Sequence, residues 1–120
     1  VKENVIADKS KGFALRIIKL YRYLKDEKRE YILSKQLLRS GTSIGANVKE
    51  ALRGQSKKDF LSKMNIALKE VSESEYWLEL LHESGYMNKE QFDSIYCDCQ
   101  EIIKLLTSIV KTTNESLKGN

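Results

Sequence analysis

Apolar residues recur at intervals of three and four through nearly all of a 120-residue chain that contains no proline. That spacing is the mark of amphipathic helices, which bury one stripe and leave the other faces wet. At an average usage of about 5%, roughly six prolines would be expected. Each would remove a backbone donor and clash with the preceding turn. A chain without any can run long unbroken helices. Four segments emerge, over roughly residues 5–26, 29–54, 57–84 and 89–116. The first carries Ile6, Phe13, Ile17, Leu20 and Leu24 on one stripe, and the second Leu33, Leu37, Ile44 and Val48. The third carries Phe60, Met64, Ala67, Val71, Leu78 and Leu81. The fourth steps by 3, 4, 3, 4 and 3 through Phe92, Ile95, Cys99, Ile102, Leu106 and Ile109, a heptad seam.

Punctuation between the segments is local and short. The charged stretch from Lys25 to Glu30 marks the first turn, and Gly54 closes the second segment. Ser56-Lys57-Lys58-Asp59 resembles a capping box, Gly85 suits a left-handed cap, and Asn88-Lys89-Glu90-Gln91 is a further helix start. Short connections between long helices favour antiparallel neighbours. The expected fold is therefore all-α: a left-handed, up-down-up-down antiparallel four-helix bundle in one domain over residues 1–120.

Composition excludes several function classes. With 41% hydrophobic and 32% charged residues, the chain is too apolar for disorder and too charged for a membrane span. Val1-Lys2-Glu3-Asn4 does not read as a secretory signal. Cys97 and Cys99, two apart on a helix, point about 200° away from each other and cannot pair. A reducing, cytoplasmic setting is expected. No phosphate-binding loop, nucleophile elbow or metalloprotease motif is present. Glu79-Leu80-Leu81-His82 spells Glu-x-x-His once, where di-iron bundles use it twice, so His82 is expected to face solvent. Asn47 and Glu50 share a face of the second helix and are expected to form a bonded pair that fixes register or an oligomer contact. No catalytic residue, metal or cofactor is expected, and the chain does not read as an enzyme.

Each helix carries more apolar surface than one seam uses. Ile18, Tyr21, Trp77, Tyr96, Ile103 and Val110 lie off the main stripes and are candidates for a self-association interface. Between Ser40 and Asn47 the second helix is built from small residues, and Gly41 and Gly45 put a notch on one face. Close helix packing and a groove for another chain are both open for it. Charge is split along the chain. Residues 1–54 hold 13 Lys+Arg against 6 Asp+Glu, or +7, whereas residues 55–120 hold 8 against 11, or −3. The candidate phosphate-binding cations are Arg16, Lys19, Arg22 and Lys25 of the first helix, then Lys28, Arg29, Lys35, Arg39, Lys49 and Arg53. The bland alternative is a solvated face that complements the acidic third helix. No aromatic or glycine pattern of a known nucleic-acid module accompanies these cations.

Specific strings then carry a family resemblance. Ser43-Ile44-Gly45-Ala46-Asn47-Val48-Lys49-Glu50 resembles the S-I-x-x-N-(hydrophobic)-x-E signature of the 23S rRNA-intervening-sequence proteins. Ser34 through Thr42 looks like that family's lead-in. Ser56 through Phe60, Ile66 through Glu70, with Ala67, and Glu73 through Leu78 are similar to its third helix. The chain departs from the commonest pattern at Ala51 and at Lys69-Glu70. The resemblance implies an up-down bundle and a homopentamer. It also implies kinship with the accessory proteins of diversity-generating retroelements, basic pentamers that bind nucleic acid and a reverse transcriptase. The family name reflects gene location within rRNA genes, not an activity. The expectation is a non-enzymatic homo-oligomer that binds RNA or DNA through its basic first two helices. The alternative is a protein–protein adaptor or accessory subunit, for example of a reverse transcriptase.

Overall fold

The computed structural model describes residues 1–119. Among these, the regular elements are four helices: α1 (Lys2–Asp26), α2 (Leu33–Leu52), α3 (Lys57–Glu83) and α4 (Lys89–Lys118). Each packs on the next and α4 closes back on α1, giving an elongated antiparallel bundle of 52 × 21 × 21 Å. The all-α bundle expected from the periodicity is the fold observed. Its axis is lined by the anticipated stripes: Ile6, Phe13, Ile17, Leu24, Leu37, Ile44, Met64, Val71, Leu78, Ile102 and Leu106 are essentially inaccessible. No described helix is long and apolar enough to cross a membrane.

The contact of α1 with α2 depends on the glycine notch. A Cβ at Gly41 would lie 2.9 Å from Ile17 Cγ1 and 3.0 Å from its Cγ2, inside van der Waals contact. Gly45 one turn on faces Ser10, whose carbonyl carbon would be 3.6 Å from an added Cβ. The small-residue stripe thus serves close packing within the chain. Beside it, Ser40 Oγ and Ser74 Oγ meet at 2.8 Å, a buried hydroxyl pair that satisfies both groups where α2 crosses α3.

The first corner differs from the sequence reading. Helix α2 begins at Leu33, not near residue 29, because Arg29 adopts φ +53° and breaks the helical path. Glu30 then takes over the capping. Its backbone N–H donates to Leu24 O at 2.9 Å, tying the turn to α1. Its carboxylate accepts the amides of Ile32, Leu33 and Ser34 at 3.1, 2.9 and 2.7 Å, satisfying donors that a helix start leaves free. Burial alone would raise the Glu30 pKa, but these amides and the Ser34 hydroxyl hold it below the usual value of 4.5.

The other two corners follow the sequence more closely. Ser56 Oγ accepts the Asp59 amide at 3.1 Å, and Asn88 with Gln91 makes a complete capping box. At the third corner Gly85 has φ +92°, the left-handed geometry that glycine adopts without strain. His82 corrects its expected exposure. It is half-buried, stacked on Phe92 with centroids 4.3 Å apart, and its Nδ1 lies 3.0 Å from Met87 O. It fastens the α3–α4 turn.

Three substitutions test this account of stability. Gly41→Ala gains helix propensity worth about 1 kcal/mol but drives a methyl into Ile17, a β-branched side chain with little freedom to yield. Overpacking costs about 1–3 kcal/mol, so urea unfolding should show net destabilisation. Gly12→Ala, whose added Cβ meets nothing within 4 Å, should stabilise by about 0.5–1 kcal/mol. Glu30→Gln should be less stable than the parent at pH 7. A lowered carboxylate pKa adds stability above the unfolded value, and that increment fades as pH falls through the folded one. Acid titration of the two proteins should therefore show their stability gap closing below pH 4.5.

Candidate nucleic-acid interface

The ten candidate cations divide by what surrounds them. Arg16 is a tie between α1 and α4: its guanidinium donates to Asp98 Oδ2 at 2.6 Å and to Ser94 Oγ at 2.8 Å. Arg39 ties α2 to α3 through Glu70, at 3.4 Å, and Glu73. Lys9, bonded to Glu101 at 2.7 Å, is a further α1–α4 link. These side chains are matched by carboxylates and are poorly placed to neutralise phosphate.

Lys19, Arg22, Lys28, Arg29 and Lys35 are exposed and, among the described residues, make no ion pair. With Lys25, which lies 3.7 Å from Asp26, they gather on the last two turns of α1, the first corner and the first turn of α2. Between residues 19 and 35 there are six Lys+Arg and three Asp+Glu, and the Glu30 carboxylate among them is occupied by backbone amides. Lys49 and Arg53 sit roughly 21 Å or more further along α2, at 1.5 Å per residue. There the surface is mixed in charge, since Lys49 and Arg53 share it with Glu50, Asp59 and Lys63.

The corner also has an aromatic side. Lys25 Nζ is 5.7 Å from the Tyr21 ring centroid, and Lys28 Nζ is 6.0 Å from that of Tyr23. Tyr31 and Ile32 point outward, 52% and 76% exposed. Neither Tyr31 nor Ile32 belonged to a helical stripe in the sequence. The signal that could have found them is the alternation of tyrosines with Arg22, Lys25, Lys28 and Arg29 between residues 21 and 31.

The signature residues pack helices. Ile44 and Ala67 are core. Ser43 Oγ donates to Arg39 O at 2.6 Å, and Glu73 receives Arg39. Asn47 and Glu50 do not bond to one another, contrary to expectation. The Asn47 amide donates to Ser43 O at 2.8 Å, one turn back, while Glu50 reaches across to Lys63 at 3.2 Å. At i and i+3 the two project toward different neighbours, and each finds a nearer partner.

The off-stripe apolar residues are largely absorbed within the chain. Ile18 and Tyr21 are half-buried, and Trp77, Tyr96, Ile103 and Val110 pack against the core. Tyr96 also donates its hydroxyl to Glu79 at 2.6 Å, which with burial and nearby Glu75 raises its pKa. Besides Tyr31 and Ile32, the exposed large apolar side chains are a different set: Val1, Val5, Leu15, Leu52, Ile66 and Tyr76. Between α1 and α2 lies an open groove of about 490 Å³ whose walls include Ala7, Ala14, Ala46 and Leu52, together with Lys11, Lys49 and Arg53. Trp77 Nε1 is buried and, among the described residues, has no hydrogen-bond partner.

Chemistry elsewhere is sparse. Cys97 is exposed, whereas Cys99 is buried and its thiol is pushed up to about 12 by desolvation and by Glu75, Glu79 and Asp98. Among the described residues no group of His, Cys, Asp or Glu is arranged to hold a metal ion.

Comparison with known proteins bears on this arrangement. The family model described as 23S rRNA-intervening sequence protein matches residues 2–108. A crystal structure of a protein of unknown function from the S23 ribosomal protein family of Bacteroides thetaiotaomicron is similar at 57% identity. It covers 92% of this chain and 99% of its own, with a TM-score of 0.91. No curated protein matches.

Proposed function

This chain belongs to the 23S rRNA-intervening sequence protein family, and on that footing we propose that it is a non-enzymatic, cytoplasmic homo-oligomer that binds the phosphate backbone of RNA or DNA. The observation that carries the reading is the first corner. There Lys19, Arg22, Lys28, Arg29 and Lys35 stand exposed without carboxylate partners among the described residues, while Arg16 and Arg39 are committed between helices. Lysine and arginine side chains not neutralised by carboxylates can neutralise phosphates and release condensed counterions. Self-association, of the pentameric kind that the family resemblance implies, would draw on exposed apolar side chains such as Leu15 on α1 and Ile66 and Tyr76 on α3. Repeating one basic corner around a ring multiplies its contacts with a single strand.

A second reading has its own support. The α1–α2 groove joins an apolar floor of Ala7, Ala14, Ala46 and Leu52 to charged rims at Lys11, Lys49 and Arg53, the kind of surface that could receive a partner helix of an adaptor's client or of a reverse transcriptase. A defined protein that co-purifies in fixed ratio after nuclease treatment would favour it.

The nucleic-acid reading is tested by fluorescence anisotropy across a salt series. Binding should fall steeply with salt, and the triple variant Arg22→Glu, Lys28→Glu, Lys35→Glu should flatten the log–log slope by about three contacts. Arg16→Gln, which removes an internal tie, should leave the slope unchanged. Absence of any complex at low salt would refute the reading. Sedimentation should show an assembly well above the 13.9 kDa of one chain.

A further inference from the structure

We propose that Tyr31 is a stacking platform for an unpaired nucleobase, so that the preferred nucleic acid is single-stranded or carries unpaired loop nucleotides. This rests on the nucleic-acid reading above and narrows its substrate class. Tyr31 and Ile32 are the two large apolar side chains of the first corner, and neither is used to pack the fold, being 52% and 76% exposed. They are nevertheless held in place. Glu30 fixes the amides of Ile32, Leu33 and Ser34, its own amide is bonded to Leu24 O, and the Ser34 hydroxyl donates back to Glu30 O at 2.7 Å. A ring carried on such a braced corner loses little further freedom when a base settles on it.

Its neighbours suit a polyanion. Lys28 and Arg29 precede the tyrosine and Lys35 follows it by one helical turn, all exposed. The free amides that usually make a helix start attractive to phosphate are already taken here by the Glu30 carboxylate. Phosphate contacts therefore fall to the lysine and arginine side chains, leaving the aromatic face for a base. Bases inside a duplex are stacked on one another and offer no free face, whereas those of a single strand or loop do. An exposed tyrosine flanked by cations thus discriminates by strandedness rather than by sequence.

The test compares a labelled polyuridylate of about 12 nucleotides with a blunt RNA duplex of equal length, by anisotropy at one salt concentration. Tyr31→Ala should weaken the single strand roughly tenfold and leave the duplex unchanged. Tyr31→Phe should retain single-strand affinity because the ring is kept, and thermal melts should show all three proteins folded alike. If the parent binds both probes and Tyr31→Ala alters neither, or alters both equally, base stacking is wrong while the phosphate reading stands. If the parent binds neither probe at low salt, the phosphate reading fails and takes this inference with it. Binding to phosphatidylserine vesicles that depends on Tyr31 and Ile32, with no polyuridylate binding, would overturn it in favour of a membrane surface.

Discussion

Everything in this bundle is registered by the seating of Ile17 over Gly41. With no side chain at position 41, the α1 backbone can come within reach of α2, whereas one turn on a Cβ at Gly45 would meet Ser10 only at ordinary contact distance. That contact fixes how far along each other the two helices lie. The position of the corner that joins them follows from it. Once α2 is placed, its other flank meets α3 through Ser40 and Ser74, and the core closes around Ile44, Ala67 and Ile102. Dispersion and burial supply the stabilisation, but the notch selects the geometry.

Charge is organised on a second principle, the difference between charges that are spent and charges that are spare. Arg39 with Glu70 and Glu73, Arg16 with Asp98, and Lys9 with Glu101 stitch neighbouring helices together along the bundle's length. Such partly exposed pairs contribute little stability each. Their larger effect is on the electrostatic surface, where they cancel cations that a linear count would assign to a partner. The uncancelled cations thereby gather at the first corner, where Lys19, Arg22, Lys28, Arg29 and Lys35 are exposed.

Much of the fold was legible in the sequence because periodicity is a local property. The stripes through Phe13, Ile17, Met64, Leu78 and Leu106 identified the core, Ser56 and Asn88 marked helix starts by side-chain capping that acts over three residues, and Gly85 marked an end by its backbone freedom. The start of α2 was not legible in this way. Lys28, Arg29 and Glu30 are good helix formers, and only the three-dimensional path shows Glu30 turned back to cap the amides ahead of it. The candidate site was legible in part. Its residue types and helices could be read, but whether Arg16 or Arg22 has a carboxylate beside it depends on α4, some 80 residues away. Asn47, Glu50 and His82 misled differently: Asn47 turns back to the Ser43 carbonyl of its own helix, His82 reaches Met87 O in the next corner, and Glu50 finds Lys63 on α3.

The two cysteines, two residues apart, live in different chemical worlds. Cys97 meets solvent, while Cys99 is sealed in the core with its ionisation suppressed to about 12 and its sulfur 3.7 Å from Val71 O. Thiolates, not thiols, react with alkylating reagents and oxidants. The intact bundle therefore offers such reagents one sulfur, and the opened chain offers two. The chain carries an internal gauge of its own integrity, read by how many sulfurs a reagent counts.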